Sequence, residues 1–82
     1  MNLPDPLARV PLAFLLPGAH ATLDSLDEAI DSTQREQLVA YGLAPGRPVT
    51  VLQQRPMTIV MVDEVELALE TGVARQVWVR RR

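Results

Sequence analysis

The stretch TQREQLVAYGLAPGRPVTV, Thr33–Val51, decides the fold because it contains a helix start, a helix end, a tight turn and a strand start. Thr33 with Glu36 three residues later forms a capping box, in which each side chain satisfies the other residue's backbone N–H, so a short helix is predicted to begin there. Gly42 then supplies the left-handed residue that ends a helix without steric cost. Leu43 is predicted to fold back over the helix end.

The segment after this helix predicts a turn that leads into a strand. In Ala44–Arg47 a proline fixes φ of the second residue and Gly46 takes the positive φ of the third, which is typical of a type II turn. Arg47 precedes a proline and is therefore extended. From Val49 onward apolar and polar residues alternate, which predicts a strand with its valines on one face.

On the N-terminal side, the apolar run Leu12–Leu16 is expected to cover one open end of the core. Pro17-Gly18 repeats the turn signal of Pro45-Gly46, and a strand with alternating polarity is predicted over residues 19–26. The acidic segment 24–31 reads as a loop that contains one turn.

The C-terminal half predicts three more strands, over residues 57–62, 65–69 and 76–79. A tight Asp63-Glu64 hairpin joins the first two, and a turn around Gly72 precedes the last. Five short strands and one small helix predict a mainly β fold, a small closed or nearly closed barrel. The predicted organisation is a flexible lead-in over residues 1–10, one barrel domain over 11–79 and an arginine tail over 80–82.

Composition narrows the class of protein. A chain of 82 residues has room for one small core, and the absence of cysteine excludes disulfides and thiolate chemistry. The formal charge of −2 argues against a nucleic-acid binder, including an RNA-binding small barrel. No nucleophile elbow or phosphate loop occurs, so no enzyme is expected. No apolar run is long enough to span a bilayer and no signal peptide is evident, which predicts a cytoplasmic protein.

Metal binding has only weak candidates in the sequence. His20 is the sole histidine, and Asp24 lies four residues further along the same predicted strand face. Two ligands are fewer than the three or four that iron or zinc sites in proteins use. We therefore expect no resident cofactor, with weak binding of a divalent metal such as ferrous iron left open.

A partner surface is the more specific expectation. If Val60, Val62, Val77 and Val79 point into the barrel, the pleat places the intervening residues outward, where small barrels usually carry polar side chains. Apolar residues at such positions are typical of a surface for a partner or a second copy, unless the segment around Phe14, Leu15 and Leu16 folds over them. The predicted contact residues are Met57, Ile59, Met61 and Trp78.

Three segments together resemble the ferrous iron transport protein A (FeoA-like) family. They are LLPGAHATL, LVAYGLAPGRPVTV and ELALETGVARQVWV, and they occur in the family's order over residues 11–79. The chain departs from the family at two loops. The link 54–56 is shorter than usual, and Asp63-Glu64 stands where a glycine is usual.

The resemblance implies an SH3-like barrel and a role in iron transport. Free-standing members of this family are cytoplasmic accessory proteins of bacterial ferrous iron uptake, thought to act on the membrane permease that carries a GTP-binding domain. We therefore expect the protein to be an adaptor that binds this permease and has no chemistry of its own. It is expected neither to span the membrane nor to bind nucleic acid. The alternative is a metal-sensing module that binds transition metal ions, like the C-terminal SH3-like domain of iron- or manganese-responsive repressors. No winged-helix part is evident in the sequence, which favours the adaptor.

Overall fold

The computed structural model describes residues 8–82, and its backbone forms a curled antiparallel sheet with two helices. Because β-branched valines alternate with other residues in most of the strands, extended backbone is favoured over long parts of the chain. In chain order the elements are β1 (Arg9–Pro11), a 3₁₀ turn (Leu12–Phe14), β2 (His20–Leu26), α1 (Ser32–Ala40), β3 (Pro48–Gln53), β4 (Thr58–Val62), β5 (Val65–Leu69), α2 (Thr71–Ala74) and β6 (Val77–Arg81).

The sheet has six strands in the order β1-β6-β2-β3-β4-β5, one more than the sequence predicted. The additional strand is β1, in which Arg9 pairs with Arg80 and Pro11 with Trp78. The predicted lead-in therefore contributes a strand to the sheet, and its first seven residues lie outside the described part. β6 also continues two residues beyond its predicted end, because Arg80 and Arg81 pair with β2, so both are strand residues rather than part of a tail.

The core forms on the concave side of the sheet, where the strand valines meet. As the alternation predicts, the inward valines of β3, β4 and β6 are all at most 2% exposed: Val49, Val51, Val60, Val62, Val77 and Val79. Leu12 and Leu15 of the N-terminal segment are also buried and close one end of this core, as expected. The order of strands leaves β1 and β5 as edges, so the barrel is open between them.

Helix α1 begins at a different cap from the predicted one. Asp31 is the N-cap, and its Oδ2 accepts hydrogen bonds from the N–H groups of Thr33 and Gln34, at 3.1 and 3.3 Å. The predicted Thr33–Glu36 capping box is therefore wrong. An aspartate at the N-cap accepts hydrogen bonds from backbone N–H groups that the first turn of a helix leaves without partners. In this chain that aspartate lies two residues before Thr33.

The end of α1 matches the prediction. Gly42 has φ of +106° and its N–H bonds to the carbonyl of Val39, while the N–H of Leu43 reaches back to the carbonyl of Leu38 at 2.9 Å. This pair of bonds is the Schellman arrangement, and it brings the fully buried Leu43 back into the core. The type II turn follows, with the Arg47 N–H bonded to the Ala44 carbonyl at 3.1 Å.

Within residues 8–82, neither helix combines the length and the apolar character that crossing a bilayer requires.

Candidate contact surface

The convex side of β3 and β4 carries apolar side chains where a small barrel usually carries polar ones. Ile59 of β4 lies opposite Gln53 of β3 and Ala68 of β5, and Met61 lies two residues further along the same face. Both side chains are half-buried. Ile59 and Met61 therefore lie on the outward face of β4, as the alternation of this strand predicts.

Leu52 adds a third apolar side chain to this face, next to a bulge in β3. The ladder between β3 and β4 shifts register between Val51 and Gln53, so Leu52 is the extra residue. Leu52 is 41% exposed. It lies beside the pair formed by Gln53 and Ile59.

The N-terminal turn brings further apolar surface to the same place. Leu16 is 78% exposed and Phe14 is 67% exposed. Their turn is fastened to β3, because the Gly18 N–H donates to the carbonyl of Val51 at 2.7 Å. Leu16 and Phe14 line a shallow cavity of about 490 Å³ together with Gln53. We call Leu16, Leu52, Ile59 and Met61 the apolar face.

One glutamine holds this N-terminal turn against the sheet. Nε2 of Gln54 donates to the carbonyls of Leu12 and Leu15, at 3.0 and 2.6 Å. Its Oε1 accepts from the hydroxyl of the fully buried Thr58 at 2.6 Å. Because the amide has both donors and acceptors, one side chain satisfies groups on both segments at once. The predicted segment 12–16 thus buries Leu12 and Leu15 but leaves Leu16 outside.

Trp78 lies far from the apolar face. Two strands, β2 and β3, separate β6 from β4, which amounts to roughly 14 Å at three spacings of about 4.8 Å. The indole N–H donates to Asp27 Oδ2 at 3.2 Å, and the guanidinium of Arg9 lies 5.0 Å from the ring centroid. β1 thus supplies a cation–π partner for this half-buried ring.

Met57 also lies elsewhere. It precedes the first residue of β4 and is 37% exposed. Its side chain lines a groove between α1 and β5, on the open side of the barrel. The structure therefore brings two of the four predicted contact residues together and places Met57 and Trp78 at two other sites.

With this geometry in place, the relatives of the chain decide its family. The sequence model of the FeoA domain matches residues 10–81. The chain belongs to the FeoA domain family. No curated protein matches it.

Solved structures of FeoA proteins have the same fold. An iron uptake regulatory protein (FeoA) is 32% identical, with 93% of this chain and 100% of that chain covered and a TM-score of 0.79. The FeoA of Stenotrophomonas maltophilia, described as a procaryotic SH3 domain protein and solved with zinc, is 26% identical, with 83% and 86% covered and a TM-score of 0.71. IdeR of T. acidophilum shares the fold at 23% identity and a TM-score of 0.83, and the match covers 99% of this chain and 37% of IdeR. The expected mainly β, SH3-like fold is confirmed.

The two weak metal candidates of this FeoA-domain chain do not converge. His20 is exposed, with Nδ1 3.0 Å from Thr50 Oγ1, while Asp24 lies roughly 13 Å further along β2. Asp24 binds Arg80 at 2.9 Å and Arg9 at 3.6 Å. The hydrogen bond from Arg80 is the main cause that lowers the pKa of the Asp24 carboxyl. Among residues 8–82, no three histidine or carboxylate side chains are grouped as metal ligands.

Asp27, in the acidic loop, has a structural partner as well. Its carboxylate accepts from the Ala29 N–H at 2.8 Å and from the Trp78 indole. The Ala29 N–H first, and the indole second, lower the pKa of this carboxyl. Asp24 thus ties β2 to β6, and Asp27 ties the β2–α1 loop to β6.

Sequence reasoning missed two residues of the contact surface. The alternation from Val49 onward places Leu52 on the outward face, but Leu52 was not among the predicted contact residues, and Leu16 was grouped with residues that cover the core. A signal for Leu16 was present, since it immediately precedes the Pro17-Gly18 turn and a residue entering a type II turn is commonly exposed. For Leu52 the signal was the alternation of β3, which places it on the face opposite the inward Val49 and Val51.

Proposed function

We propose that this FeoA-domain protein is an accessory protein of ferrous iron uptake, which binds the membrane ferrous iron permease through the apolar face. The observation that carries the proposal is the exposure of Leu16 and Leu52 beside Ile59 and Met61 on a convex sheet surface. Contiguous apolar surface on a small protein is a feature of protein–protein contacts. The 32% identical relative is an iron uptake regulatory protein, which supports the assignment to iron transport.

The protein acts by binding rather than by catalysis or metal storage. Asp24 of β2 is paired with two arginines and Asp27 of the following loop with the indole of Trp78, so these two carboxylates do not present a free ligand set. A binding partner shifts an equilibrium between two states of a protein only if it binds them with different affinities. The adaptor therefore changes the state of the permease by binding one of its two states more tightly than the other.

The test is a binding titration against the permease of the same source, reconstituted in lipid nanodiscs so that detergent does not cover the apolar face. The titration is run with and without guanine nucleotide and ferrous iron. Two variants, Leu52→Lys and Met61→Lys, place a charge on the apolar face. Each is expected to weaken binding by about thirtyfold, because a well-packed interface residue contributes about 2 kcal/mol.

The matched control is Val39→Lys. Val39 is an exposed apolar residue of α1, 45% exposed against 41% for Leu52, and it lies away from the apolar face. This control is expected to bind like the unmodified protein. The proposal is overturned if no saturable binding occurs under any condition, or if the control weakens binding as much as the two test variants. Self-association driven by ferrous iron, without permease binding, would instead favour the metal-sensing module.

A further inference from the structure

The edge strand β5 presents backbone groups that no other part of residues 8–82 pairs with. Its pairing with β4 closes on Val62 and Val65 across the two-residue hairpin. Along an antiparallel ladder, hydrogen-bonded pairs of residues alternate with pairs that are not hydrogen-bonded to each other. Glu66 and Ala68 belong to the second kind, so their N–H and C=O groups point away from β4. Since β5 is the last strand of the sheet, these two residues form a free template for one more strand.

A groove runs beside this edge on the open side of the barrel. Its volume is about 340 Å³, and its apolar lining includes Leu38 of α1, Met57, Leu67 and Leu69 of β5, and Val73 of α2. This is near the lower end of the volumes found for ligand pockets, about 300–1,000 Å³, and suits one or two side chains rather than a cofactor.

Charge along the edge is of one sign. Glu64, Glu66 and Glu70 are all exposed, and none of them has an ion-pair partner in the described part of the chain. Glu66 and Ala68 share one parity of the strand, opposite to the parity of Leu67 and Leu69, and Glu64 and Glu70 flank the two ends of β5. A second copy of β5 paired here would oppose glutamates to glutamates, which disfavours self-association through this edge.

We propose that β5 binds an extended basic segment of a partner protein by strand addition. Backbone bonds to Glu66 and Ala68 hold the segment, and alternate side chains read two faces. On one face lysine or arginine residues lie opposite the glutamates, and on the other an apolar residue enters the groove beside Leu67. The recognised pattern is therefore alternating basic and apolar. This surface adjoins the apolar face, because Glu66 and Ala68 lie opposite Met61 and Ile59 of β4, but it uses the backbone groups at the outer edge of β5. It does not depend on the identity of the iron permease as a partner.

The experiment titrates the full chain, labelled with ¹⁵N, with the peptide acetyl-Lys-Val-Lys-Leu-Ser-Leu-Lys-amide, and uses the same peptide with glutamate in place of lysine as the control ligand. The amide signals of Glu66 and Ala68 are expected to shift and their hydrogen exchange to slow. Binding is expected to weaken as salt rises, because exposed charges on both sides contribute.

Two substitutions test the backbone and the charge separately. Ala68→Pro removes an N–H that points away from β4, so the sheet is kept while strand addition is blocked, and binding is expected to weaken about tenfold. Ala68→Ser keeps the N–H and is expected to bind within about twofold of the unmodified chain. If Ala68→Pro fails to fold, Glu66→Lys compared with Glu28→Lys makes the test by charge alone, since Glu28 is an exposed residue of the β2–α1 loop.

Three outcomes would overturn the proposal. One is equal binding of the basic and the acidic peptide. Another is peptide binding that leaves the amides of Glu66 and Ala68 unshifted. The last is a shift of these amides with protein concentration alone, which would identify a second copy as the occupant of β5.

Discussion

Gln54→Ala is expected to be the most informative single change to the fold, because the Gln54 side chain hydrogen-bonds both the N-terminal turn and Thr58 at the start of β4. The substitution removes the donor to the carbonyls of Leu12 and Leu15 and the acceptor for the hydroxyl of Thr58. The segment that carries Leu16 then loses its side-chain anchor.

The expected magnitude follows from the groups left without partners. Leaving a buried hydrogen-bonding group unsatisfied costs about 1–3 kcal/mol. Water replaces part of the lost hydrogen bonding at the partly buried carbonyls of Leu12 and Leu15. We therefore expect a decrease of about 2–4 kcal/mol in the free energy of unfolding. A domain of 82 residues has about 4–12 kcal/mol in total. The change corresponds to a fall in Tm of roughly 10–25 °C.

The assay is urea unfolding followed by the fluorescence of Trp78, the single tryptophan. Gln53→Ala is the matched control, since Gln53 is a neighbouring half-buried glutamine with no side-chain hydrogen bond within residues 8–82. It is expected to change the free energy of unfolding by less than about 1 kcal/mol. Equal effects of the two substitutions would refute the argument that Gln54 fastens the turn.

A glutamate at the same position gives a sharper version of this test. Gln54→Glu keeps an acceptor for Thr58, but an ionised carboxylate cannot donate to two carbonyls. The carbonyls raise the pKa of this carboxyl in the folded state, so the destabilisation is expected to grow as pH rises above about 4.3, the unfolded-state value. A pH-independent loss would contradict this explanation.

Three further predictions concern the helix ends and the acidic loop. Gly42→Ala is expected to lower the free energy of unfolding by about 1–3 kcal/mol, because φ is +106° and a Cβ would lie 3.1 Å from a β4 valine. Gly72→Ala is expected to be neutral or stabilising, because Gly72 lies in a helical turn and a Cβ there would have nothing within 4 Å. Urea unfolding compares the two variants. In urea unfolding, Asp31→Ala is expected to lower the free energy of unfolding by about 1 kcal/mol and Thr33→Ala by less than about 0.5 kcal/mol. The reverse order would indicate that Thr33, and not Asp31, caps the helix. The lowered pKa of Asp27 contributes stability that is fully present above about pH 3.9 and is lost as pH falls through the lower folded-state value. The urea midpoint is therefore expected to fall more steeply in acid for the unmodified chain than for Asp27→Asn.

The sequence predicted best those features that depend on residues close together in the chain. The Schellman end at Gly42, the turn at Gly46 and the Asp63-Glu64 hairpin each follow from the backbone preferences of a few adjacent residues. β1 was missed because its partner strand lies at the other end of the chain, where Arg9 meets Arg80. The helix cap was wrong because Asp31 and Thr33 are both good caps, and the path of the preceding loop decides between them.

In the candidate site, too, the features set by neighbouring residues were predicted and those set by distant strands were not. Parity within β4 was enough to place Ile59 and Met61 outward. Whether Trp78 joins them depends on the order of the strands, and two strands intervene. The bulge at Leu52 arises from the pairing of β3 with β4, which leaves no mark on the sequence of either strand alone. The faces of single strands were thus predictable, but the patch assembled from several strands was not.

The β3–β4 link and the β4–β5 hairpin lie at opposite ends of β4, and each is fixed by a side chain. At the short link Gln54 bonds both the N-terminal turn and Thr58. At the hairpin Asp63 adopts φ of 56°, which aspartate tolerates better than most residues, and its carboxylate lies 3.3 Å from the guanidinium of Arg47. This ion pair is about half exposed and contributes little energy, so its effect is on geometry. β4 is therefore held at both ends by side-chain contacts. Because β4 carries Ile59 and Met61 of the apolar face and sets the register of β5, both proposed surfaces take their shape from these two loops.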